Sequence, residues 1–280
     1  MTLDRAVAII KSSHHADGVD IGVVVPTRNS DRTLEACLRS LRDQVVACVV
    51  VVVDNHSTDD TVAIACRYAD IVAVAGPERS AQRNIGAALI SSPMLGFIDS
   101  DMVVDSTVVE QVTNALRRGA GGIVVPEYSF GEGLWADVRR FERSFYQGSD
   151  TIEAARFFRR DVFEDVGGFD EAMEPGPEDW DLTIRVRKVA TVTRISAAIA
   201  HDEGRPTFWN VCAKKGYYGP GYKCFVRKHG TASLSVLDRP YLRRPWRIFA
   251  QGPRLGLGLV ALKTGEAAAV AAAAIRHSRR

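Results

Sequence analysis

A chain of 280 residues, 46% of them hydrophobic, can bury a substantial core in one large domain or in a domain with an appendage. The formal net charge of +2 hides an asymmetry, because Arg239–Arg280 holds nine Lys/Arg against one acid, Glu266, leaving +8 there and −6 in the rest. Five cysteines (Cys37, Cys48, Cys66, Cys212, Cys224) form no CxxC pair and leave an odd number, which argues against a disulfide scaffold or zinc cluster and for a reduced, cytoplasmic setting. The N-terminal region carries acids and histidines where an export signal needs an apolar core. The nearest candidate for a membrane span, Leu255–Ile275, is interrupted by Lys263 and Glu266, so no spanning helix is expected.

In chain order, the β-branched run Ile21–Pro26 predicts a strand, and Leu34, Leu38 and Leu41 recur at helical spacing after a start signal at Asp31. Val49–Val53 is an unbroken valine run ending in Asp54, as expected of a parallel strand covered on both faces. A helix is predicted over Thr61–Tyr68, a strand over Ile71–Val74 and a helix over Ser80–Ile90. An apolar strand from Met94 to Ile98 then runs into Asp99-Ser100-Asp101, followed by a helix over about Ser106–Arg118 and a strand over Ile123–Val125. This alternation predicts an α/β fold with a doubly wound, mostly parallel sheet. Ligands of such sheets bind at the carboxyl ends of the strands, where Thr27, Asp54 and Asp99 all fall.

The second half is less regular. Glu127–Gln147 reads as a loop followed by a helix, and Gly167-Gly168 within Val162–Met173 as a turn. Pro177 begins a helix running through Asp181 to Arg187, and Val192–Ile199 reads as a strand. Tyr217–Lys228 mixes aromatic, glycine and basic residues, and the run from Leu255 onward is compatible with a helix. The expected division is a domain over 1–238, with halves at about 20–125 and 126–238, and a basic, Ala-rich helical tail over 239–280.

Asp99 and Asp101 lie on the same side of an extended backbone. Two carboxylates at the end of a buried strand cannot both be left ionised and unpaired. A hard divalent cation with oxygen ligands would resolve the conflict and also grip a substrate phosphate, while two solvated loop acids are the plainer reading of so short a motif.

Five pieces, in order, resemble the glycosyltransferases of family 2, nucleotide-sugar enzymes with a GT-A fold. They are Val23-Val24-Val25-Pro26-Thr27-Arg28-Asn29; Val53-Asp54-Asn55-His56-Ser57-Thr58-Asp59; Ser80-Ala81-Gln82-Arg83-Asn84-Ile85-Gly86; Asp99-Ser100-Asp101; and Gly167-Gly168-Phe169-Asp170 with Glu178-Asp179-Trp180-Asp181-Leu182. The resemblance implies a nucleotide-binding half, an acceptor-binding half and metal-dependent transfer of a sugar to a hydroxyl. Pro26, Thr27, Asn29, Asp54, Arg79, Arg83, Asp99 and Ser100 would then line the donor site. In that role Asp54 would accept the imide N–H of a uracil, while Arg79 and Arg83 would reach the diphosphate beside a helix N-terminus. Asp99 and Asp101 would hold Mn²⁺ or Mg²⁺, with His201 completing the metal site. Asp179 would be the general base, and Glu178, Trp180 and Trp135 would form the acceptor wall.

Plainer roles stay open for several of these residues. Asp54 and Ser57 suit a turn, the arginines a solvated surface, His201 an ordinary hydrogen bond, and the tryptophans a core. The acids after Pro177 also suit a helix N-terminus. Asn55, His56 and Asp60 depart from the family pattern, which leaves a UDP- or GDP-linked donor open. The Gln-x-x-Arg-Trp motif of processive synthases is absent, so addition of a single sugar to a glycan or glycolipid hydroxyl is expected. Inversion is the leading outcome and retention the alternative.

Arg239, Arg243, Arg244 and Arg247 around Tyr241, Trp246 and Phe249 suit the headgroup layer of an anionic membrane. The tail is therefore expected either at the cytoplasmic face of a membrane or packed on the domain or on a second copy in a homodimer. A non-catalytic adaptor using this tail is the alternative from another class, and no nucleic-acid partner is expected.

Overall fold

The computed structural model describes residues 7–13, 18–149, 151–173, 175–233, 239–243 and 245–277. Arg244, Arg279 and Arg280 of the basic stretch, and the expected boundary at residue 238, lie outside the described residues. The elements through the first half are β1 (Ala8–Ser12), β2 (Ile21–Thr27), α1 (Asp31–Arg42), β3 (Val49–Asp54), α2 (Thr61–Tyr68), β4 (Ile71–Val74), α3 (Arg79–Ala88), β5 (Met94–Phe97), β6 (Met102–Val104), α4 (Val108–Arg117) and β7 (Gly122–Val124). Then come β8 (Glu127–Phe130), α5 (Leu134–Ser144), β9 (Ala155–Arg159), α6 (Arg160–Asp165), α7 (Glu178–Arg187), β10 (Val192–Arg194), β11 (Ile199–Asp202) and α8 (Phe208–His229). The C-terminal region adds α9 (Pro240–Arg243), α10 (Trp246–Ala250) and α11 (Pro253–His277).

The chain forms two compact units that do not follow chain order. The first holds residues 1–126, 154–171 and 182–200, and the second 127–153, 172–181 and 201–280. The boundary therefore passes along α7 and β11.

The first unit contains an eight-stranded sheet of order β1-β4-β3-β2-β5-β9-β7-β10. β2 pairs in parallel with β3 and β5, β3 with β4, and β7 with β10, so the expected mostly parallel α/β sheet is present. Successive side chains of a strand point to opposite faces. Val23, Val25, Val50 and Val52 accordingly join Leu34, Leu38, Val109 and Val112 in one apolar layer, while Val24, Val51 and Val53 join Ile85, Phe163 and Leu182 in the other. Burying each of these valines contributes roughly 1.5–3 kcal/mol. Chain order reverses between β2 and β5, and it is there that a doubly wound sheet opens a ligand crevice.

Two antiparallel strands escaped the sequence pattern. β1 covers the β4 edge with mostly exposed side chains, so it has no apolar alternation to read. β9 runs antiparallel between β5 and β7, and its Arg156 and Arg159 interrupt the apolar run. The expected strand Val192–Ile199 is two strands. Between them the backbone N–H groups of Ser196 and Ala197 donate to the Gln111 side chain, at 3.1 and 3.2 Å, and that of Ala198 donates to Asp105 at 2.9 Å. Side chains here replace a neighbouring strand.

The second unit packs Val138 and Phe141 of α5, Cys212 of α8, Tyr241, Ile248, and Leu259 and Leu262 of α11 into its own core. α8 is a 22-residue helix with Pro220 inside it, although its glycines conceal it in the sequence. Those glycines permit close helix contact. A Cβ on Gly216 would lie 3.2 Å from the Ala269 carbonyl of α11, and one on Gly265 would lie 2.7 Å from Cys212 Sγ. The expectation of no membrane-length apolar helix needs correction. Residues Pro253–Ala273 of α11 are long and apolar enough to cross a bilayer, with mean hydropathy 1.4. The two interrupting charges are good helix formers and are paired within the protein, Lys263 with Glu266 at 2.8 Å and with Glu142 at 2.6 Å.

Candidate active site

At the carboxyl ends of β2, β3 and β5, four residues of α3 each hold a different part of the first unit. Gln82, buried, donates to the carbonyls of Thr27 (2.9 Å) and Val53 (2.6 Å), tying the ends of β2 and β3 together. Arg83, fully buried, donates to Asp99 Oδ1 at 2.6 Å, and its guanidinium lies 5.0 Å from the Phe169 ring. Asn84 accepts from the Phe169 N–H and donates to its carbonyl, both at 2.9 Å, and so holds the Gly167-Gly168 turn. Both of those glycines have positive φ, 81° and 69°, which side-chain-bearing residues rarely adopt. Gly86 lets the helix lie against β2, since a Cβ there would sit 2.3 Å from Val24.

Asp99 is held from two sides, because Arg156 of β9 donates to Oδ2 at 3.2 Å. Burial alone would raise the pKa of this carboxyl. The charges of Arg83, Arg156 and Arg79 outweigh burial and hold it well below the usual carboxylate range. Arg79, half-buried at the start of α3, thus acts on the site through its field. Asp101 lies two residues on, half-buried, and its charge, like that of Asp99, reaches the buried Cys37 thiol. Burial first, and those carboxylates second, push Cys37 far above the usual thiol range, so it is no nucleophile. Ser100 donates to the Ser30 hydroxyl at 2.9 Å.

Thr27 and Asp54 are register partners on β2 and β3, and both are buried. Asp54 accepts from the Thr27 hydroxyl (3.1 Å), the Ser57 N–H (2.8 Å) and the Ser57 hydroxyl. It therefore shapes the turn, and its side chain has no exposed surface. Pro26 is also buried in β2. Exposed Asn29, at φ 48°, accepts from the Thr58 N–H at 2.9 Å and gives its own N–H to Ser57, linking the loops after β2 and β3. Asn55, one of the family departures, donates to the Pro77 carbonyl, a bond no carboxylate could make.

The remaining candidates lie in the second unit. Asp179 is half-buried in the first turn of α7. Beside it, buried Glu178 accepts the Gly176 N–H at 2.6 Å, and Trp180 donates its indole N–H to the Ile152 carbonyl at 2.7 Å. Trp135 packs against the Phe208 ring at 5.0 Å, as a core residue would. Sequence reasoning gave Asp181 only a helix-end role. In the structure it is fully buried and contacts His229 at 2.7 Å and Lys228 at 2.8 Å, partners 48 and 47 residues away that no local signal announces.

His201 stands with Arg143, whose guanidinium lies 3.3 Å from Nδ1. Arginine only donates, so in the neutral ring this nitrogen is the acceptor and its lone pair faces Arg143. Its neighbour Glu203 accepts from Ser129 (2.9 Å) and Arg139 (3.1 Å). Burial would raise the Glu203 pKa, but Arg139, His201 and Arg143 bring it down to about 2. A depressed pKa contributes stability above the unfolded value and loses it as pH falls toward the folded value. From pH 4.5 to about 2, wild type is therefore expected to lose urea-midpoint stability more steeply than Glu203→Gln.

Among the described residues, no group of three or more His, Cys, Asp or Glu side chains could hold a metal ion. Of the expected donor set Asp99, Asp101 and His201, two members already face arginines, Asp99 through both oxygens and His201 through Nδ1. That set still suits Mg²⁺ or Mn²⁺, which are held by one or two carboxylates together with substrate phosphates rather than by an all-protein cage.

A parallel sheet whose order reverses at β2 and β5, with acidic residues at that reversal, defines the nucleotide-binding core of a GT-A fold. The chain belongs to glycosyl transferase family 2, whose model matches residues 22–167. It is 27% identical over 279 residues to a pre-mycofactocin glycosyltransferase of Mycobacterium tuberculosis, an alignment covering 91% of this chain and 57% of that one. The chain thus spans little more than half the length of that relative. Two solved structures share the fold. A mannosyltransferase from Pyrobaculum calidifontis in complex with GDP-Man and Mn²⁺ gives a TM-score of 0.56 at 15% identity, covering 92% of this chain and 86% of that chain. Residues 1–349 of S. aureus TarS in complex with UDP-GlcNAc give 0.55 at 16% identity, covering 93% and 92%.

Proposed function

We propose that this chain transfers one sugar from a UDP- or GDP-linked donor to the hydroxyl of a glycan or glycolipid, inverting the anomeric centre. One observation carries the reading. Asp99 is clamped between Arg83 and Arg156 at the reversal point of the sheet, with a second carboxylate, Asp101, half-buried two residues on. The nucleotide sugars and Mn²⁺ of the two fold relatives support the donor class and the cation.

In this reading the donor occupies about 20–125, with Arg156 added from β9, and the acceptor side lies within 126–238. The wall formed by Pro26, Thr27 and the Asp54 turn would receive the base, and Asn29 would border it. Arg79 and the N-terminus of α3 would face the diphosphate. Asp101 would hold Mn²⁺ or Mg²⁺, which offsets the charge that develops on the departing nucleoside diphosphate. Asp99 would fix the arginines rather than ligate the cation.

Asp179 would take the proton from the acceptor hydroxyl as that oxygen bonds to the anomeric carbon. The glycosidic electron pair leaves with the diphosphate. Glu178, Trp180 and Trp135 would shape the acceptor side through the backbone and rings they hold.

Turnover against a panel of UDP- and GDP-sugars with Mn²⁺ and simple acceptors tests the proposal, with the anomeric proton coupling of the product reporting inversion. Asp179→Asn is expected to lower kcat by about 10²–10⁴-fold while leaving donor affinity nearly unchanged. No turnover with any donor, or full activity of Asp179→Asn, would overturn it.

A further inference from the structure

The C-terminal helix is built inside out for a surface helix. Surface helices turn charge to water and apolar residues to the core. In α11, Glu266 is buried and Lys263 is bound to Glu142 and Glu266, so both charges between Leu257 and Ala272 are paired within the protein. The opposite face, Leu257, Val260, Ala261, Thr264, Ala268 and Ala271, is exposed and carries no charge. Leu257 is 64% exposed, and only 22% of the Pro253–Ala273 stretch is buried.

The patch continues onto its neighbours. Phe249 at the end of α10 packs beside Gly256 yet is 44% exposed, and Trp246 and Leu242 are each 65% exposed. Exposed Arg243, Arg247 and Arg254 border it, and the only acid between Arg239 and Ala273 is the buried Glu266.

We propose that α10 and the uncharged face of α11 rest in the plane of an anionic lipid bilayer, with Trp246, Phe249, Leu257 and Val260 in the headgroup–acyl boundary. The arginine border contacts lipid phosphates. Exposed aromatics beside arginines suit that boundary, where an apolar body and a charged rim are both accommodated. A second copy of the chain is the poorer occupant, because a two-fold contact sets a patch against itself and would oppose like-charged arginines. The helix lies along the surface rather than through the bilayer, since Lys263 and Glu266 are tied to the protein and α11 packs on α5 and α8.

The test is co-flotation of the full chain with vesicles of phosphatidylcholine containing 30% phosphatidylglycerol, compared with phosphatidylcholine alone. Trp fluorescence and light scattering are measured in parallel. Wild type is expected to float with the anionic vesicles at low salt, with a blue-shifted Trp emission, and to be monomeric without lipid. Leu257→Glu/Val260→Glu changes exposed positions only, so it should fold, keep wild-type turnover of a soluble acceptor and bind at least tenfold less. Arg247→Glu/Arg254→Glu should lose the preference for anionic lipid. Wild type that ignores anionic vesicles, or forms a dimer that the Leu257→Glu/Val260→Glu pair dissociates, overturns the proposal. Lipid binding is read without turnover, so this result and that of the donor panel stand or fall separately.

Discussion

Asp101→Asn is expected to lower sugar transfer at least about 10³-fold while leaving the melting temperature of the unliganded protein within a degree or two of wild type. The substitution keeps size and shape and removes only the charge. Asp101 is half-buried after the end of β5, two residues beyond the clamped Asp99. The Asp99 carboxylate, which faces buried Arg83 and Arg156, is retained in this variant. Metal stabilisation of a leaving group is worth several kcal/mol, and each 1.36 kcal/mol is tenfold in rate. The stabilisation that wild type gains from nucleoside diphosphate plus Mn²⁺ should fall with turnover. A stable Asp101→Asn protein of wild-type activity would sink the assignment.

The neighbouring change, Asp99→Ala, is expected to act first on folding, at a cost of about 3–5 kcal/mol. Arg83 is fully buried and Arg156 nearly so, and both point at this carboxylate. An arginine does not shed its proton to escape burial. Removing the carboxylate leaves two guanidinium charges in a confined space, and domain stability is only about 5–15 kcal/mol in total. A drop in the urea midpoint with unchanged slope is the expected signature. Asp99→Asn should be milder, because an amide oxygen still accepts one hydrogen bond. Two carboxylates one residue apart thus separate by experiment, one lost in turnover and the other in stability. Equal stability loss at both positions would show that the clamp is shared.

How much of this was legible in the chain depended on the range of each interaction. The valine runs, the leucine spacing of α1 and the acidic end of β5 are local patterns, and all recur as the parallel sheet and its flanking helices. Gln82, Arg83, Asn84 and Gly86 were visible as a motif, but not that each grips a different element. Arg156 gave no signal, because its partner is 57 residues away and a lone arginine in an aromatic strand reads as surface. His201 stood where a metal ligand was expected, and only the fold reveals that its Nδ1 faces Arg143. The helix α8 stayed hidden because glycine and proline lower local helix propensity, while packing against α11 favours the close approach they permit.

Hydrophobic period and residue type act over a few residues, so composition and order by themselves determined the α/β class, the family motifs and the strand ends where ligands bind. Which side chains neutralise one another was decided only when distant segments met. Asp99 between two arginines, Asp181 on His229, and the charges of α11 turned inward are outcomes of tertiary packing. A buried charge takes whatever partner the fold brings within a few ångströms, and sequence spacing carries no record of that distance.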